Sequence, residues 1–261
     1  SGLDNKSMKS FFSKKSILRT MAVAAVCMLG ATSVKAQEFT IQGDFVSSYV
    51  WRGIYQGWAA SFQPTLGVSV GNFSLTAWGS TSLSESNKEI DLTAAYKFGE
   101  AGPTLSVASL WWNGQADVVN GQGAGNYFHF KSGDTGHHFE AGLAYTLPVE
   151  KFPLSIAWYT MFAGADRKMT DKGEEKQAYS SYVELNYPFS VKGVDLNATC
   201  GVVPYETPQY NVNGFAVTNL ALKATKAINF NDKFSLPIFV QAIWNPRLED
   251  AHLVFGVTLR P

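Results

Sequence analysis

Residues 90–110 read IDLTAAYKFGEAGPTLSVASL, and their alternation decides the fold. Taken in twos, Ile90, Leu92, Ala94, Tyr96 and Phe98 share one face, while Glu89, Asp91, Thr93, Ala95 and Lys97 share the other. A tight turn follows at 99–102. The alternation then resumes, with Leu105 and Val107 set against Thr104, Ser106 and Ala108. This pattern predicts a β-hairpin with one apolar and one polar face. The unit returns at 139–158, at 182–200 and, more loosely, at 217–240. A chain that repeats one hairpin is an up-and-down β architecture, so the next question is what solvent its apolar face meets.

Composition narrows the answer. The 261 residues are 46% hydrophobic and only 16% charged, and no apolar run approaches the ~20 residues of a membrane-spanning helix. Met8, a basic segment (Lys9, Lys14, Lys15, Arg19), an apolar run over 21–30 and the small-residue site Val34-Lys35-Ala36 together read as a secretory signal peptide. Cleavage is expected between Ala36 and Gln37. The organisation is then an added or upstream extension at 1–7, a signal peptide at 8–36 and a single barrel domain at 37–261. Without 1–36 the chain keeps 15 basic and 20 acidic residues, a net charge of −5, and it carries no basic cluster for a nucleic-acid partner. Cys27 falls in the leader and Cys200 stands alone, so no internal disulfide is expected.

About twelve strands are expected over 37–261. Their connections alternate in length: tight at 71–72, 99–102, 148–152, 190–193 and 229–233, and including all the long ones at 53–57, 84–87, 113–136, 165–175, 204–213 and 246–250. This sorting is that of an antiparallel transmembrane β-barrel with short periplasmic turns and longer external loops. The aromatic residues sort by end too. Trp51, Trp58, Trp78, Trp111, Trp112 and Trp244 lie near the long-loop ends, while Tyr96, Tyr145 and Tyr187 lie near the short turns. They are expected to form two interfacial girdles. The last strand, HLVFGVTLRP at 252–261, finishes on Arg260-Pro261 instead of the aromatic residue usual in a barrel-assembly signal.

The polar faces then line a lumen. Candidate lining residues are Asp44, Arg52, Gln63, Glu89, Asp91, Glu140, Glu184, Asn197, Asn219, Lys223 and Gln241, with more acid than base, which favours neutral or cationic solutes over anions. Arg52 is expected to pair with a lumen carboxylate such as Asp44. His129, Asp134, His137 and His138 surround the longest loop, but their spacing fits no defined metal site, and neither a metal nor a cofactor is expected. No catalytic residues are assigned. A lipid-active enzyme would need a Ser–His pair near the outer leaflet, and His252 reaches Ser80 or Ser82 only if distant strands meet. Expected partners are outer-membrane lipid, lipopolysaccharide, the barrel-assembly machinery and small polar solutes.

One stretch carries a resemblance. SSYVWRGIYQ (47–56), Gln63-Pro64, AWGS (77–80) and EIDLTAAY (89–96) resemble the TorF-type porin family, in which an SDYxxRGxSQ stretch precedes a proline-containing strand, a WGS segment and an acidic strand. Tyr49, Arg52, Gly53, Gln56, Trp78, Gly79 and Asp91 stand at the motif positions. Ser48 replaces the usual Asp, and Tyr55 the usual Ser. The resemblance covers the first four strands and implies a bacterial outer-membrane barrel engaged in transport, with no assigned substrate or reaction. A passive channel is the leading expectation; the alternative is a structural or adhesive barrel with a plugged lumen, acting through its external loops.

Overall fold

The computed structural model describes residues 37–57, 59–112 and 125–261. The expected leader and extension lie outside them, as does Trp58. Twelve strands close into one antiparallel barrel: β1 (Gln37–Val46), β4 (Ser61–Val70), β5 (Phe73–Ser82), β6 (Lys88–Lys97), β7 (Thr104–Trp112), β8 (His138–Thr146), β9 (Ser155–Gly164), β12 (Ser181–Val191), β13 (Val194–Val203), β14 (Ala216–Asn231), β15 (Phe234–Asn245) and β16 (Asp250–Leu259). Each strand pairs with its sequence neighbours in the barrel, and β1 meets β16 through Gly43–Val46 to close the wall. Closure removes the free sheet edges, so ladder hydrogen bonds run around the circumference. The seam is reinforced from inside, where Thr258 Oγ1 donates to Asp44 Oδ1 at 2.7 Å.

The expected two-face pattern holds around the wall. Ile90 and Leu143 are exposed on the outside, whereas Glu89 and Glu140, each one register step or more away on the other face, are buried within. Outward rings gather at the short-turn end: Tyr96 against Phe98 at 5.0 Å, Phe152 against Tyr187 at 5.3 Å and Phe230 against Phe234 at 5.5 Å. Tyr145 shares this outward face through its pairing with Ile156. Tyr96, Tyr145 and Tyr187 thus share the outward face near the short turns.

The tryptophan row does not. Trp244 and Trp111 face outward, but Trp78 pairs with Asp91, Trp112 pairs with Glu89, and both point into the barrel, where Trp51 packs against the same cluster. Trp51, Trp78 and Trp112 are thus interior residues, not members of a girdle. Proximity to a strand end fixes a ring's height; parity along the strand fixes its side, and for these residues parity decides.

The first strand also ends earlier than its hydrophobic run suggests. After Val46 the chain turns inward and forms a short hairpin of β2 (Val50–Trp51) and β3 (Ile54–Tyr55) inside the long-loop end. Its tip holds Arg52 and Gly53 at φ of 49° and 84°. A Cβ at Gly53 would run into the Thr218 carbonyl oxygen of β14, so only glycine lets the tip dock there. Asn245 Nδ2 donates to the Gly53 carbonyl at 3.2 Å and ties the tip to β15. A second small hairpin, β10 (Arg167–Met169) with β11 (Glu175–Gln177), lies beyond the wall between β9 and β12.

Gly53→Ala is expected to undock the tip while the wall stays closed, at a cost of roughly 1–3 kcal/mol from backbone strain alone. Trypsin reads this directly: the folded wild-type barrel resists cleavage after Arg52, and the variant is cut there. Equal resistance of both proteins would count against the docking contact.

Candidate functional site

The interior divides into two halves. Towards the short turns the inward residues include the small, partly solvated Thr93, Ala95, Ser106, Ala144, Ala157, Thr199 and Thr225, beside the larger Lys97 and Phe239. Towards the long loops the inward residues are large, and the hairpin fills the space between them. Tyr49 joins Ala108, Leu110, Trp112 and Met161 in one apolar cluster; Tyr182, Val203, Tyr210, Val212 and Ala216 form another, with Trp51 packed against both. Tyr210 belongs to the 204–213 connection, which folds inward and meets the hairpin from above. Trp51 stacks on Tyr210 at 5.3 Å, and Tyr210 stacks on Tyr182 at 5.6 Å. The lower lumen is lined largely by polar and small side chains, and the upper end is sealed by the hairpin and its ring clusters.

Arg52 sits at the centre of the seal. Its Nη2 and Nη1 donate to Glu140 Oε1 and Oε2 at 2.7 and 2.8 Å, a two-pronged ion pair, and Nη1 also donates to the Tyr210 hydroxyl at 2.7 Å. Three ring faces surround the guanidinium, with Tyr159 at 4.5 Å, Trp51 at 4.8 Å and Tyr182 at 4.9 Å from its central carbon. The two charged side chains are only 13% and 5% exposed, so each one's desolvation is offset by the other. A lysine here would lose the fork that matches both carboxylate oxygens. Glu140 reaches this position beside a register slip between Phe139 and Glu140 in the β8–β9 ladder. The expected partner Asp44 is instead engaged at the seam with Thr258.

The other candidate lining residues all register inward, and they fall into groups. Glu89 and Asp91 lie beside Trp78 and Tyr49 under the hairpin, with Tyr49 and Trp78 rings 5.7 Å apart. Gln63 Nε2 donates to Ser80 Oγ at 3.2 Å on the adjoining strands. On the opposite wall a polar ladder climbs towards the seal. Asn197 and Thr199 donate to Asn186 Oδ1 at 2.9 and 2.7 Å, and Asn186 donates to Glu184 at 2.7 Å. The Tyr182 hydroxyl donates to the other Glu184 oxygen at 2.6 Å and accepts from Asn219 at 3.0 Å. Lys223 lies over the Phe239 ring at 4.1 Å, and Gln241 is its register partner on β15. Among these named groups, five carboxylates (Asp44, Glu89, Asp91, Glu140, Glu184) face two cations (Arg52, Lys223).

The histidines do not converge. His138 points inward and stacks on Trp112 at 4.6 Å, while His137 points outward and stacks on Phe130 and Phe139. His129 pairs with Asp134 at 2.9 Å within the loop. Among the described residues no group of three or more potential ligands could hold a metal ion. His252, on β16, meets Asp250 and the Tyr55 ring, three strands round the wall from the β5 that carries Ser80 and Ser82. Sequence reading missed a different pair. Ser109 Oγ lies 2.6 Å from His137 Nδ1, and His137 Nε2 lies 2.5 Å from the Tyr127 carbonyl oxygen, under residues 125–136 folded against the outer wall. Burial pushes the His137 pKa down, so the ring is neutral with its proton towards Tyr127 and its Nδ1 accepting from Ser109. The pair ties that loop to the wall, with Thr135, Gly136 and His137 buried while Asn126, Phe128, Lys131 and Ser132 stay exposed.

No protein-family model matches the chain, and no curated protein matches it. Among solved structures it is similar to the NanC porin, at 10% identity over 85% of this chain and 98% of that one, with a TM-score of 0.43. An outer membrane channel from Pseudomonas putida F1 matches at 11% identity over 88% and 97%, with a TM-score of 0.41. The translocator domain of the autotransporter NalP from Neisseria meningitidis matches at 12% identity over 94% and 95%, with a TM-score of 0.37.

Removing either Arg52 or Glu140 leaves the other as an unpaired buried charge, at a cost of about 3–5 kcal/mol each. The double variant Arg52→Ala/Glu140→Ala removes both and is expected to cost clearly less than the sum. Urea unfolding of the four proteins in detergent micelles measures the coupling; additive losses would mean that the pair does not hold the seal.

Proposed function

We propose that the chain is a bacterial outer-membrane barrel of the porin type, exported by the leader cleaved after Ala36, which passes small hydrophilic solutes of neutral or cationic character under control of its internal hairpin. The carrying observation is the two-part lumen: a lower half lined with polar side chains, closed from above by a hairpin whose only charged side chain is locked by one ion pair. The outward apolar wall supports membrane residence, since every ladder bond is made within the closed sheet and bare hydrocarbon can supply none. Outer-membrane lipid and lipopolysaccharide then contact the wall, and the barrel-assembly machinery inserts it. The acidic excess around the hairpin supports the charge preference.

The resemblance to TorF-type porins points the same way. Its scattered pieces meet at one place: Tyr49 and Trp78 share a cluster, Trp78 pairs with Asp91, Arg52 forms the ion pair, and Gly53 makes the tip. A motif conveying transport through this region would act on the seal.

The seal itself favours a second reading, a plugged barrel that works through its outer loops. One experiment separates the two. In planar bilayers the wild-type protein is expected to show small or brief conductance steps with weak cation preference, and deletion of residues 48–56 to convert them to large, sustained ones. Silence from both proteins would overturn the channel and leave the adhesive barrel.

A further inference from the structure

Resting on the channel reading, the geometry points to a solute class. We propose that the cage formed by Glu140, Tyr210 and the rings of Trp51, Tyr159 and Tyr182 is a guanidinium-binding site, and that Arg52 is its tethered occupant, standing where a guanidinium-bearing solute would bind.

The cage has the parts such recognition needs. A planar guanidinium with its donors in a fixed fork is matched by a carboxylate taken in the same plane, and Glu140 presents both oxygens at 2.7 and 2.8 Å. The Tyr210 hydroxyl takes a further donor at 2.7 Å. The π faces at 4.5–4.9 Å stabilise the cation where water is excluded, and a guanidinium gives up its hydration more readily than an ammonium. Glu140 and Tyr210 come from a barrel strand and an outer loop, as do Tyr159 and Tyr182 from the wall, so four of the five cage residues stay in place when the hairpin leaves. Only Trp51 travels with Arg52.

The site also lies on the route. Tyr159 is half-buried and on the inward face, beneath it runs the Asn197–Asn186–Glu184 ladder, and the surrounding carboxylates raise the local concentration of cations. The tether sets the competition. An occupant on a short linker acts at an effective concentration of roughly millimolar, so a free solute displaces it only when concentrated or when it makes added contacts along the ladder. Recognition and opening then become one event, because the group the solute replaces is the latch of the seal.

Emptying the cage tests this. In planar bilayers Arg52→Ala is expected to conduct steadily, and millimolar guanidinium to block it saturably, about tenfold more potently than tetramethylammonium, which offers no donors, or sodium, which offers neither donors nor a planar face. Arg52→Ala/Glu140→Gln is expected to lose the block. Independently of conduction, 10 mM guanidinium chloride is expected to raise the melting temperature of Arg52→Ala above its value in equal sodium chloride, with no such gain for the wild type. Should the variant fold poorly, the same salt pair is compared for the yield of heat-modifiable barrel. Equal effects of guanidinium and sodium, or a block that survives Glu140→Gln, would overturn the cage assignment. Absence of conductance in Arg52→Ala with a guanidinium-specific gain in stability would instead uphold the cage and defeat the channel.

Discussion

Closure of the sheet is the constraint on which everything else rests. With twelve strands paired all the way round, every position on a strand has only two places to go, in or out, and a step of one residue exchanges them. The outside is then free to be uniformly apolar, as the Ile90, Leu143 and Leu222 rows are, because no backbone group there still needs a partner. The inside inherits most of the polar residues, including the carboxylates of Glu89, Asp91, Glu140 and Glu184.

A barrel of this size would be neither filled by its own wall nor wide open. The chain resolves the matter by lending one connection to the interior. The hairpin after β1 brings its own aromatic rings and one arginine, and the 204–213 connection closes over it with Tyr210. The result is a small packed core, suspended by an ion pair and a few directed hydrogen bonds, inside a tube otherwise lined largely with polar side chains. Packing holds the plug; the ion pair fixes where it sits. That division matters for function, since a plug anchored by one bidentate contact can be released by whatever competes for that contact.

Much of the fold could be read from period-two alternation. The twelve-strand count, the closed architecture and the strand positions after β1 follow from counting in twos and from where glycine and proline interrupt. What alternation could not show was a departure from the wall. Tyr49-Val50-Trp51 continues the β1 pattern in sequence, yet the chain leaves the sheet at Val46, and the signal for it was Gly53 after Arg52, a tip that tolerates a left-handed backbone. The tryptophan assignments failed for a related reason: end-of-strand height was read without side-chain parity, so Trp78 and Trp112 were placed in the belt. Glu140 as the partner of Arg52 was beyond the sequence, because the contact spans 88 positions and depends on how far the hairpin reaches into the barrel.

The central claim is that outward rows meet hydrocarbon and inward rows meet enclosed water. Spin labels measure it most directly, in a Cys200→Ser background reconstituted into phospholipid vesicles, at Leu143 and Leu222 on the outward rows and at Ala144 and Lys223 on the inward ones. The account predicts high collision rates with oxygen and low rates with a water-soluble nickel complex at the first pair, and the reverse at the second. Labels at Leu143 and Leu222 that collide freely with the nickel complex would contradict it.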